Sequence, residues 1–196
     1  KRAILLCGGT GCISSNSLEI KDKFQQMIDD IKVAKDLGAD GLVFGCLLPD
    51  GTGDKANMAR LMEAAGTTPV TFHRAFDHSA DPMQALEDII ELGCARILTS
   101  GCRPTALEGT QLLSQLVEKA SDRIIIMPGC GIRTGNICDI ARLSGAREFH
   151  FSAREPVASG MLFRNPEVTM GSESDPYGIV QTTARRVAAT IAPLKS

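Results

Sequence analysis

Five short runs of apolar and β-branched residues recur along this chain, at 41–47, 69–73, 95–100, 123–127 and 147–151. Their starts lie 28, 26, 28 and 24 residues apart. Each interval holds one segment of helical periodicity. A strand and a helix alternating at this length wind into right-handed βαβ units and set their strands in parallel. The runs are nearly continuous, as in Ile124-Ile125-Ile126-Met127, which is what a strand covered on both faces requires. Two α/β architectures accept such a repeat: an open doubly wound sheet and a (β/α)8 barrel of the TIM type. The near-constant period and the polar residues after every strand favour the barrel. Five strands do not close eight, however. Residues 3–7 (Ala3 to Cys7) offer a candidate sixth, and at least two N-terminal strand–helix units have no counterpart. The first residue is Lys rather than Met, so the expectation is a fragment or an aberrant N-terminus.

The intervening segments carry their own start and stop signals. Asp81 is placed to cap a helix with Pro82 at its first position and Gln84 at capping-box spacing; Thr105 and Glu108 repeat the device ahead of Leu112, Leu113, Leu116 and Val117. Ile20, Phe24, Met27, Ile28, Ile31 and Leu37 form the apolar stripe of a first helix. Gly38, Gly66, Gly93 and Gly145 follow their helices, where a left-handed cap is expected. A final helix is expected from about 177 to 192. No linker or low-complexity stretch interrupts the chain, so 1–196 reads as one partial barrel domain.

Composition excludes several classes of function. A net charge of −2 provides no field for nucleic acid or an anionic membrane, and one Tyr with no Trp gives no base-stacking surface. Nothing approaches the roughly 20 apolar residues of a membrane span. The N-terminal apolar run is about five residues, short of a signal h-region. The seven cysteines are an odd number without a CxxC pair, a usage that fits reduced thiols in a cytoplasmic protein.

The residues just past each strand define the candidate site, because ligands of parallel α/β folds bind at that edge. Phe72-His73-Arg74-Ala75-Phe76-Asp77 is the most polar of these ends. His73 could act as a general base, Arg74 as a bidentate anion clamp and Asp77 as an orienting carboxylate. The alternative is an Arg74–Asp77 ion pair that pins the rim, with His73 packed inside the barrel. Ser100, Gly101, Gly129, Gly131 and Arg154 form a candidate anion site, since glycines let backbone N–H groups come close to a ligand. The same glycines also serve tight strand-to-helix turns. Cys46, Cys102 and Cys130 end three different strands, near Met127, His73 and His150. Such soft and borderline ligands suit Cu(I), although cysteine is more often a small buried hydrophobe. Cys7 and Cys12 bracket Gly8-Gly9-Thr10-Gly11, which lacks the Lys-Ser/Thr ending of a phosphate loop. No nucleotide cofactor is expected.

At these residues the chain resembles the CutC copper homeostasis family. The resemblance rests on Ala39-Asp40-Gly41-Leu42-Val43-Phe44-Gly45, on 69–77, on Arg96-Ile97-Leu98-Thr99-Ser100-Gly101 and on Met127-Pro128-Gly129-Cys130-Gly131-Ile132. It continues through Glu148-Phe149-His150, Ser152-Ala153-Arg154, 160–165 and Val168-Thr169-Met170-Gly171. It implies a (β/α)8-type barrel, a mainly cytoplasmic protein with a nuclear location also open, self-association as a dimer or tetramer, and copper handling through Cu(I) binding without an established reaction. Residues 1–17 diverge from the family's first strands, and Gly129-Cys130-Gly131 stands where members have three glycines. A second expectation keeps the rim as an enzyme site for a phosphorylated or carboxylated small molecule, with His73 as acid/base and Arg74 and Arg154 on the anion.

Overall fold

The computed structural model of the chain describes residues 17–163, 165, 167 and 178–194. The candidate strand at 3–7, the loop between Cys7 and Cys12, Tyr177 and most of 164–177 lie outside them. Helix α1 (Ser17–Asp36) leads into β1 (Leu42–Phe44), α2 (Lys55–Ala65), β2 (Val70–Phe72) and a 3-10 turn (Arg74–His78). Then follow α3 (Pro82–Glu91), β3 (Arg96–Thr99), α4 (Thr110–Ala120), β4 (Ile125–Pro128) and α5 (Ile137–Ser144). The four strands pair in parallel in the order β1-β2-β3-β4, with Phe44 opposite Phe72, Phe72 opposite Ile97, and Thr99 opposite Pro128.

The expected signals act as read. Asp81 Oδ1 accepts from the N–H groups of Met83 and Gln84, with Pro82 at the first position of α3. Gly38, Gly66, Gly93 and Gly145 all have positive φ. Between sheet and helices lies a continuous core that includes Phe72, Phe76, Met58, Leu61, Leu86, Ile97, Leu113, Leu116, Ile137 and Ile140, each under 2% exposed. Each such side chain contributes about 1.5–3 kcal/mol by leaving water.

Four departures have local causes. The run at 147–151 forms no extended strand: His150 N donates to Pro128 O (2.9 Å) and bridges Gly129 in parallel. Among the described residues nothing pairs with its far side, so one bridge, the Arg96–Glu148 ion pair (2.6 Å) and the packing of Phe149 and Phe151 against the core hold it. Leu37, read as part of the α1 stripe, is 71% exposed, beyond the end of the helix, and Ala34 is buried instead. Thr105 and Glu108 bond each other in the turn before α4, while the helix itself starts at Thr110. The expected C-terminal helix is split. Ile179, Val180 and Thr182 are β-branched residues of β6 (Gly178–Thr182), which pairs antiparallel with β5 (Arg154–Ala158). Thr183 then caps α6 (Ala184–Ile191) through Arg186 N.

Candidate functional site at the strand ends

The ends of β2 and β3 meet around Asp77, with Cys130 after β4 beside Arg74. The Asp77 side chain is 6% exposed, and its carboxylate accepts from Arg74 Nε (2.7 Å), Thr99 Oγ1 (2.5 Å), Ser100 N (3.0 Å) and Cys102 N (3.1 Å). Burial would raise its pKa, but the bonds from Thr99, Arg74 and the Cys102 and Ser100 amides outweigh burial and hold it below the ordinary carboxylate range. Arg74 also donates from Nη2 to Ser100 Oγ (2.8 Å). Partial burial works against the guanidinium charge, yet Asp77 and then the Cys130 sulfur more than offset it and raise the Arg74 pKa.

The turn that places these groups is set by His73. Its Nδ1 accepts from Ala75 N (3.2 Å) and caps the 3-10 turn on which Arg74 and Asp77 lie. The imidazole is buried, edge-on to Phe72 with ring centroids 6.1 Å apart. Gly45 is needed beside it, because a Cβ there would lie 2.9 Å from His73 Nδ1 and from the Phe72 ring. The structure thus brings His73, Arg74 and Asp77 together with Ser100, but the packed imidazole and the pinning ion pair take the arrangement set out above as the alternative.

The glycines of the candidate anion site divide. Gly101 and Gly131 adopt positive φ in the turns, and Gly129 packs so tightly that a Cβ would lie 2.5 Å from Leu98 Cδ1. Arg154 lies in β5, opposite Thr182, and is exposed. The loop after β3 also borders a polar cleft of about 460 Å³ lined in part by Cys102, Arg103, Glu108, Gln111 and Gln115.

The three thiols occupy different surroundings. Cys46 turns into an apolar pocket with Met58, Phe72, Phe76, Ile89 and Leu92, on the helix side of the sheet. Burial there, assisted by the Asp54 carboxylate, pushes its thiol up to about 11. Cys102 and Cys130 stand on the rim, both in left-handed backbone (φ 55° and 78°). Burial and then Asp77 raise the Cys102 thiol, against a smaller pull from Arg103. Cys130 Sγ lies 3.2 Å from Pro104 O. Among the described residues no three His, Cys, Asp or Glu side chains come together to hold a metal ion. Thr99, one of the polar residues at the end of β3, anchors Asp77, a role that its sequence position does not reveal. Its only signal is a hydroxyl at a strand end.

The sequence model of the CutC family matches residues 16–155. A CutC family protein of Bacteroides thetaiotaomicron is 52% identical over 87% of this chain and 69% of its own length. One from Chromobacterium violaceum is 47% identical over 85% and 68%. The crystal structure of the CutC protein of Streptococcus agalactiae, named for copper homeostasis, superposes with a TM-score of 0.68 at 30% identity, over 76% of this chain and 70% of that one. A Coccidioides immitis protein named as a deoxyribose-phosphate aldolase shares the fold alone (TM-score 0.52, 18% identity, 74% and 58% covered). The parallel strand–helix repeat is therefore of the (β/α)8 TIM-barrel type, with four of its strands and one bridge of a fifth among the described residues. With half of its residues shared across most of its length, the chain belongs to the CutC family.

Proposed function

We propose that the chain is a copper homeostasis protein that takes Cu(I) as cargo at the thiols of its rim, with Cys102 and Cys130 as the capturing pair. The observation that carries this reading, beside family membership, is that both thiols interact with one ion pair: burial and then the Asp77 carboxylate raise the Cys102 thiol, and the Cys130 sulfur acts on Arg74. Thiolate sulfur selects Cu(I), and two thiolates suffice for its linear coordination. A cage of three or more protein ligands has no counterpart among the described residues. Cys46 is set apart by its desolvated pocket.

The test is titration of the reduced, oxygen-free protein against a chromogenic Cu(I) chelator. The Cys102→Ser and Cys130→Ser variants should each lose affinity by more than the roughly 10–100-fold that removal of an outer-shell partner costs. Cys46→Ser should match the parent. Because binding displaces thiol protons, uptake should be weaker at pH 6 than at pH 8. Equal affinity in the double rim variant would remove these thiols as ligands.

On the same reading the protein is cytoplasmic and a homo-oligomer of two or four copies. No described helix is long and apolar enough to cross a membrane. The support for assembly is the β5–β6 ribbon: Ile179, Val180, Leu162 and Phe163 are exposed on and beside it. A two-stranded ribbon is marginal in water until something packs on it. Light scattering on the eluting protein should return a dimer or tetramer mass, and Leu162→Glu with Val180→Glu should halve it or more. A monomer mass for the parent at micromolar concentration would overturn the assembly.

A further inference from the structure

Arg74 is held by Asp77 and Ser100 yet stays partly exposed. Its guanidinium carries five N–H donors. Nε is committed to Asp77 Oδ2 and one Nη2 hydrogen to Ser100 Oγ. The Cys130 sulfur also interacts with the guanidinium. The side chain is 41% exposed, whereas the carboxylate behind it is 6% exposed. The pair therefore presents its cation outward and hides its anion. Asp77 is itself held by Thr99 Oγ1 and the Ser100 and Cys102 amides, so the guanidinium plane is oriented before any ligand arrives. His150 is exposed beside Gly129, whose Cβ would lie 3.5 Å from His150 Nδ1, and its ring has no hydrogen-bond partner among the described residues.

We propose that the outer edge of Arg74 is a receptor for a small oxyanion, a carboxylate or a phosphate monoester, seated on the rim beside Cys130. The outward N–H groups of a guanidinium form a planar fork that matches two oxygens of either anion, and such charge-assisted pairs are the strong ones. A freely rotating surface arginine must be ordered when it binds. Arg74 is already ordered at two points, which removes most of that cost. His150 adds a ring nitrogen near the same turn, and the polar cleft beside Cys102 has room for the rest of a small molecule. The site needs no sulfur ligand and no metal, so it stands or falls apart from the copper reading.

The test uses the unaltered, copper-free protein and the arginine reagent phenylglyoxal, with modified residues located by mass spectrometry. Inorganic phosphate and malonate are the probes, each compared with chloride at equal ionic strength. Arg74 should be protected several-fold by one or both anions, while exposed Arg60 and Arg142, remote from the cleft, react at unchanged rates. Protection by phosphate alone assigns a phosphate monoester, and by malonate alone a carboxylate. Equal protection by both assigns an oxyanion of either kind. No protection, or the same slowing at all three arginines, overturns the proposal. As a second arm, the saturable rise in Tm that the anion gives the parent should vanish in Arg74→Lys, which keeps the charge and loses the fork. A folded Arg74→Lys that retains the rise also overturns it.

Discussion

Asp77→Ala should lower the free energy of unfolding by about 3 kcal/mol or more, read from urea denaturation at pH 7. The substitution strands several donors at once. Arg74 loses its carboxylate, Thr99 Oγ1 its acceptor, and the Ser100 and Cys102 amides their partner. Each buried donor left without a partner costs about 1–3 kcal/mol, and removing one member of a buried ion pair costs about 3–5. The half-exposed guanidinium recovers part of the latter from water. Asp77→Asn keeps an acceptor oxygen but loses the charge, so its loss should be smaller. A loss below about 1 kcal/mol in the Ala variant would show that the network does not hold the rim. The pH dependence has a fixed sign. The folded-state pKa of Asp77 lies below the ordinary 3.8, so its contribution is complete above that value. It disappears as pH falls through the lower, folded value. Acid unfolding of the parent should therefore be steeper below pH 3.8 than that of Asp77→Asn.

The parallel repeat was legible because it depends on local signals. Apolar runs of strand length, the Asp81-Pro82 cap and the glycines after α2, α3 and α5 each act within a few residues of themselves. What failed to show depended on neighbours. The 147–151 run has the composition of a strand, but a strand needs partners, and among the described residues only His150 finds one. Pro156 argues against a central strand, yet among the described residues β5 has a single neighbour, so Pro156 needs no second ladder. The site was legible as a set of strand ends and not as an arrangement. Cys46, Cys102 and Cys130 look equivalent along the chain. The short strand-end segments send Cys46 behind the sheet and the other two onto the rim. Arg74 and Asp77 three residues apart suggest a pair, but that Thr99 Oγ1 holds the pair from another strand is visible only once β2 lies beside β3.

The buried thiols set the behaviour at the other end of the pH scale. Burial, with Asp54 adding to it, holds the Cys46 thiol at about 11, and burial alone holds Cys94 at about 12, against an ordinary value of 9.0. Both environments favour the protonated form in the folded state. Their stabilisation is therefore complete below pH 9 and is lost as pH rises, through the ionisation of the same thiols in the unfolded chain. A tenfold change in an acid's ionisation constant corresponds to about 1.4 kcal/mol, so the loss should reach about 3 kcal/mol for Cys46 near pH 11 and about 4 kcal/mol for Cys94 near pH 12. These losses are a large share of the roughly 5–15 kcal/mol that a domain has. Urea denaturation under reducing conditions should thus show a steep fall in stability between about pH 9 and 11. Cys46→Ala with Cys94→Ala starts from a lower stability at pH 7, because it loses packing against Met58, Phe72 and Met62. Above pH 9 its curve should be distinctly flatter than that of the parent. Parallel curves for the two proteins would mean that the thiols ionise in place, and that the pocket behind Cys46 admits water.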